Sequence, residues 1–267
     1  MTLKNMRRGD VVNKDTNIRH DVVLPRGWVP AQLQDPSDFN GKPSRSKKPQ
    51  NLKKKKKPVR EYTIKEEIAN SITHGIGALL AIAAIPLCTV TAVSDGSGLL
   101  LAGALIYSIF MLLEYLMSTL YHALQVDGAK RVFKVLDHSF IYLFIAATYT
   151  PYCLVTLIDG VGLPLCIFVW AVACIGVAAE AFWVFRPRWI SAVLYLLLGW
   201  AIVWFIPDLY SLLDPAGFWL LVAGGVCYSV GCIFYVLKQI PYMHSIFHLW
   251  ILAGSICHFF SIVLFVL

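Results

Sequence analysis

The sequence predicts an all-α integral membrane protein: a bundle of seven transmembrane helices, N-terminus in the cytoplasm and C-terminus outside. Three observations carry this. The 267 residues are 58% hydrophobic and only 15% charged, whereas a soluble domain carries roughly 25% charged residues. The charge is uneven, with residues 1–65 polar and basic and 68–267 a series of apolar runs broken by short polar connections. The connections also alternate in charge, as set out below.

Residues 1–60 scatter Pro, Asn, Asp, Ser and Lys without a sustained period. They are expected to form a disordered cytoplasmic tail, ahead of a membrane domain over 61–267. No apolar stretch of a signal peptide interrupts them. The patch Val22-Val23-Leu24, followed by Trp28, reads as a docking motif or as nothing in particular. Residues 42–60 are densely basic and include five consecutive lysines, Lys53 to Lys57. Just ahead of a span, such a run points to anionic lipid headgroups, worth about 1 kcal/mol per Lys or Arg near the surface. A solvated topogenic tail explains it equally, and both come ahead of nucleic-acid binding.

Seven apolar runs follow, at about 68–93, 98–124, 137–158, 162–185, 189–206, 216–237 and 244–266. Each is near the ~20 residues a helix needs to cross hydrocarbon. Their length and the lack of period-2 alternation predict helices rather than strands. Pro86, Pro151, Pro164 and Pro207 fall near run ends expected to be outermost, where a kink is best tolerated. Lys130, Arg131 and Lys134 follow the second run, Arg186 and Arg188 the fourth, and Lys238 precedes the seventh. The alternate connections carry Asp95, Asp159, Asp208 and Asp214 and no Lys or Arg. The basic residues therefore share one side, which the positive-inside rule assigns to the cytoplasm. Adding or removing a span would break this alternation. The seven cysteines lie in or beside the apolar runs without a CxxC pair and read as small packing residues.

Polar residues inside the runs gather at the basic end. Ser118 and His122 close the second run, Asp137 and His138 open the third, and His244 and His248 open the seventh. Glu67, Asn70 and His74 form one stripe at the start of the first. His244 and His248 are four residues apart, which puts both imidazoles on one helical face. Taken singly, each is an ordinary interfacial histidine. As a set of paired spacing and common depth, His122, His244, His248 and Asp137 point to a metal. Imidazoles and a carboxylate suit zinc, and a three-histidine site leaves a fourth position for water. His258, ten residues past His248, lies about 15 Å further along the axis and is expected to make a structural hydrogen bond. His138 points away from Asp137 by about 100° on a helix and is left out. His74 is expected to pack or to support the site, and Glu67 and Asn70 to bond neighbouring helix ends.

These residues resemble the haemolysin III and progestin-and-adipoQ receptor family, which includes the adiponectin receptors. The similar stretches are Glu67-x-x-Asn70-x-x-Thr73-His74, Ser118-x-x-Tyr121-His122, Leu136-Asp137-His138-Ser139, Thr148-Tyr149-Thr150-Pro151 and residues 244–260. The resemblance covers about 60–267 and is closer to the haemolysin III branch. It implies a seven-helix bundle with a cytoplasmic N-terminus. It also implies zinc ligands at His122, His244 and His248, with Asp137 beside the metal's water. Ser118 matches a motif position of a larger group of membrane hydrolases. The adiponectin-receptor branch implies ceramide amide hydrolysis, and the name haemolysin implies membrane lysis.

Three functions compete. The leading one is a zinc-dependent hydrolase of a lipid amide or ester, with Asp137 and Ser118 as catalytic residues. The second is a membrane receptor or regulator with structural zinc. Short outer connections leave little surface for a protein hormone, so its ligand would be a lipid. The third is a pore former, disfavoured because no run carries a polar stripe along its full length.

Overall fold

A computed structural model describes residues 60–267, apart from Asp95 and Phe185. The expected tail, its apolar patch and the Lys53–Lys57 run lie outside the described residues. Among the described residues, seven helical segments are long and apolar enough to cross a membrane. They are α1 (Ile64–Ser94), α2 (Gly98–Ala123), α3 (Asp127–Pro151) with a π-helical turn at Tyr152–Thr156, and α4 (Gly162–Trp183). The fifth span runs through α5 (Arg188–Gly199), a 3₁₀ segment (Trp200–Phe205) and α6 (Ile206–Leu212). The last two are α7 (Pro215–Val236) and α8 (Met243–Phe265).

Local chemistry starts the helices. Thr63 and Glu66 make a reciprocal capping box: Thr63 N and Oγ1 each donate to Glu66 Oε2 at 2.9 Å, and Glu66 N donates to Thr63 Oγ1 at 3.3 Å. Asp214 caps α7, accepting from Ala216 N at 2.7 Å, with Pro215 in the first turn. Helix α1 has 31 residues and is about 46 Å long. That exceeds the hydrocarbon thickness of about 30 Å, so it must tilt or project.

Two spans differ from their apolar runs. Helix α3 begins at Asp127, ten residues before the third run, so Lys130, Arg131 and Lys134 are helical rather than in a loop. Their charge lowers hydropathy without interrupting the helix. The fifth run ends at 206, whereas the span continues to Leu212 through the 3₁₀ segment. The Tyr149 hydroxyl supports that break. It lies 3.0 Å from Leu198 O and 2.7 Å from Gly199 O, and it accepts from Ile202 N at 2.9 Å. Backbone groups released by irregular structure inside a bilayer need such partners.

The bundle packs in chain order, α1 on α2, α2 on α3 and α3 on α4, and α7 on α8. Helix α8 also packs on α1, which brings the first and last helices together. Small residues allow close approach: a Cβ on Gly254 would lie 3.1 Å from Gly224 O, and one on Gly224 would lie 3.0 Å from Gly254 O. The outer faces are apolar, as at Ile68, Ile72, Leu79, Phe182 and Trp204. Water would leave them as a large exposed patch, whereas lipid covers them without cost.

Candidate metal centre

The start of α1, the end of α2 and the start of α8 bring three buried histidines together. His122, His244 and His248 each offer a ring nitrogen, and these nitrogens lie within 4.8 Å of one another. Ring centroids are 5.1 Å apart for His122 and His244, 5.2 Å for His122 and His248, and 4.5 Å for His244 and His248. The i, i+4 spacing on α8 supplies two rings from one face, and the last turn of α2 supplies the third.

Neighbouring groups decide which nitrogens are available. His122 Nδ1 donates to Glu67 Oε2 at 2.6 Å, and Asn70 Nδ2 lies 3.5 Å from the same nitrogen. Lys130 Nζ balances that carboxylate at 2.5 Å from Oε1. With Nδ1 protonated, Nε2 carries the free lone pair, and it is buried without a partner among the described residues. His248 Nδ1 lies 3.1 Å from Asn70 O and 3.0 Å from Thr73 Oγ1. A carbonyl only accepts, so Nδ1 carries the proton here too and Nε2 is left basic. Asn70 is itself fixed, because Ser245 Oγ donates to its Oδ1 at 2.6 Å. His244 Nδ1 is buried without a partner among the described residues. Three buried imidazoles whose nitrogens converge, two of the rings held from behind by a carboxylate and a carbonyl, fit a metal ion.

The other candidate residues make contacts of their own. Ser118, one turn before His122, is buried and its Oγ has no partner among the described residues. Asp137 is buried, with Oδ2 3.4 Å from His138 Nδ1. It is not a member of the converging histidine group. His138 is held elsewhere, Nδ1 by Lys134 O at 2.8 Å and Nε2 against Tyr235 OH at 3.3 Å. His258 Nε2 donates to Leu221 O at 3.1 Å, away from the group. His74 stacks on His248 with centroids 3.5 Å apart, and both its nitrogens are buried without partners among the described residues.

Two features escape the sequence reading. Glu67 bonds a histidine of the group directly, rather than a neighbouring helix end. Glu114 stands on α2 two turns before His122 and one before Ser118, fully inside the bundle. Its signal was available, since a carboxylate within an apolar run is a functional candidate by default. Glu114 lines a largely apolar cavity of about 140 Å³ together with Tyr228, His258 and Phe247, the last lying between His244 and His248 in sequence.

Tyr62 covers the group from the segment before α1. Its ring stacks on His244 at 5.2 Å and meets His122 edge-on at 5.8 Å. Burial pushes its hydroxyl above the usual phenol range, against the opposing pull of Arg188.

Residues 62–259 match the family described as haemolysin-III related. The chain is 43% identical over 204 residues to the hemolysin-3 homolog of Bacillus subtilis (strain 168), covering 76% of this chain and 96% of that one. It is 42% identical to hemolysin-3 of Bacillus cereus, over 76% of this chain and 93% of that one. A more distant relative is the human monocyte to macrophage differentiation factor, 25% identical over 60% of this chain and 68% of that one. No solved structure matches the chain significantly.

Proposed function

The chain belongs to the haemolysin-III related family, and from that premise we propose that it is a zinc-dependent membrane hydrolase acting on a lipid amide or ester. The observation that carries this reading is the convergence of His122, His244 and His248 at the basic end of the bundle. Three neutral imidazoles suit zinc and leave a position for water. Bound there, zinc would supply Lewis-acid polarisation of a carbonyl and acidify a water at neutral pH.

The chain's own residues have distinct roles in this reading. Glu67, Thr73 and the Asn70 carbonyl hold two of the ligand rings in the tautomer that leaves Nε2 basic. Asp137 takes the proton of the attacking water. The Ser118 hydroxyl, buried and without a partner, donates to the developing oxyanion. The cavity lined by Glu114 and Phe247 receives part of an acyl chain. With the basic side in the cytoplasm, the scissile bond lies near the inner headgroup boundary. The Lys53–Lys57 run then binds anionic headgroups of that leaflet.

Elemental analysis of the purified protein, wild type beside His244→Ala, tests the metal first. One zinc per chain, lost in the variant, is expected. A zinc-free wild type overturns the reading. Turnover of a panel of ceramides and lysolipids tests the reaction. Zinc-dependent stability without turnover would move the protein to a receptor with structural zinc, and leakage of zinc-replete vesicles would move it to a pore.

A further inference from the structure

The cations at the histidine end are not equivalent. Arg60, Lys130 and Arg186 each lie against a carboxylate, that of Glu66, Glu67 and Glu180 respectively. Arg188 and Lys238 do not: among the described residues, no Asp or Glu oxygen comes within 4.0 Å of either side-chain charge. Both are half-buried. They meet on one ring, with Lys238 Nζ 4.5 Å and the Arg188 guanidinium 5.5 Å from the Tyr62 centroid. Arg188 also lies 4.9 Å from the Tyr235 centroid. It donates to Tyr62 OH at 2.6 Å and to Tyr235 O at 3.3 Å. Tyr62 and Tyr235 are themselves packed on His244, at 5.2 and 5.9 Å. One aromatic ring therefore separates the two cations from the histidine group.

Like charges that share one ring in a half-buried position repel each other. The Lys238 ammonium responds: its pKa is pulled down to about 8, by burial first and then by Arg188 and Lys134, while Glu67 and Glu61 act weakly in the other direction. Orientation accounts for basic residues at this end of the bundle, but not for two of them on one ring without a carboxylate, a charge that an arriving anion would balance. A guanidinium fork braced by two rings is organised for a tetrahedral oxyanion, and a lysine beside it adds a movable point charge.

We propose that Arg188 and Lys238 form a subsite for a phosphate group, so that the lipid handled by this protein is an anionic, phosphate-bearing amphiphile whose acyl bond lies at His122, His244 and His248. The second half of that statement rests on the hydrolase reading. The first half, the phosphate subsite, does not.

The test is a binding measurement on the full chain in a maltoside detergent, which carries neither charge nor phosphate. The probes are a single-chain ether-linked glycerol phosphate, the same ether glycerol without phosphate, and inorganic phosphate. None has an ester or amide to cleave. The phosphate lipid is expected to bind at least about tenfold more tightly than the neutral one, the scale of charge-assisted hydrogen bonds. Lys238→Met should remove that difference without lowering the melting temperature, because the repulsion it relieves offsets the lost contact with the Tyr62 ring. Arg188→Met should do the same to binding, with some loss of stability through Tyr62 and Tyr235. Repeating the titration in His122→Ala separates the two claims. If the hydrolase reading fails, the phosphate preference and its dependence on Lys238 survive there. Equal binding of the two lipids to the wild type, or an unchanged phosphate preference in a folded Lys238→Met protein, overturns the subsite. Inorganic phosphate binding as tightly as the phosphate lipid overturns the assignment to a lipid.

Discussion

Glu67 shows how much of the histidine group is decided by a single side chain. One oxygen accepts from His122 Nδ1 at 2.6 Å and the other accepts from Lys130 at 2.5 Å. Glu67→Gln can still accept the hydrogen bond but loses the negative charge behind the His122 ring. It is expected to weaken zinc affinity about 10–100-fold, the usual range for a group behind a ligand, as measured by competition with a chelator. Alanine at His122, His244 or His248 should abolish stoichiometric zinc. Alanine at His258, whose bond is to Leu221 O, should leave zinc content unchanged. Asp137→Ala should retain zinc and lose about 10²–10⁴-fold in turnover, as loss of a general base does. Complete zinc loss in that variant would make Asp137 a fourth ligand instead.

At the scale of elements, the fifth span is the informative one. Its helix is interrupted at Trp200–Phe205, and the Tyr149 hydroxyl meets the carbonyls of Leu198 and Gly199 and the N–H of Ile202. Removing one buried partner leaves backbone groups unsatisfied at about 1–3 kcal/mol. Tyr149→Phe is therefore expected to lower the melting temperature in detergent while zinc content stays at the wild-type level. Unchanged melting would mean that the break is satisfied by other groups. The α7–α8 contact makes a complementary case. A side chain at Gly254 would meet the Gly224 carbonyl at 3.1 Å and the Tyr228 ring at 2.6 Å. The carbonyl is backbone and cannot turn aside, so Gly254→Val should cost about 1–3 kcal/mol through overpacking.

For the whole molecule, the basic residues and the histidine group share one end of the bundle. Arg60 reaches Lys238 O, Glu66 accepts from Tyr242 N, and Lys130 reaches Glu67. We propose that this end faces the cytoplasm, on the positive-inside rule. A membrane-impermeant label applied to intact cells should then reach a cysteine added after Leu267 and not one placed near Lys55. The reverse pattern would overturn the orientation. Metal removal acts on the same scale. Zinc bound only by the folded bundle at about 1,000 times its dissociation constant adds about 4 kcal/mol. Chelation should therefore lower the melting temperature of the wild type and leave that of His244→Ala unmoved.

The amino-acid sequence determined the seven spans, because the length of an apolar run is a property of the chain alone. It also determined the depth of the polar residues, since 1.5 Å per residue places His122, His244 and His248 at the same end once the spans alternate. Depth is not azimuth. Whether Glu67 faces His122, 55 residues away, depends on how α1 and α2 are rotated against each other. Only packing settles that, through close approaches such as Gly77 against the Tyr115 ring. Hydropathy likewise cannot see hydrogen bonds, so the break after Gly199 and its support by Tyr149 were illegible. The charged start of α3 was hidden for the opposite reason: lysines lowered its apolarity while its backbone remained helical. The meeting of Arg188 and Lys238 on the Tyr62 ring joins three connections that are distant in sequence. The packing of α8 on α1 and of α5 on α7 brings them together.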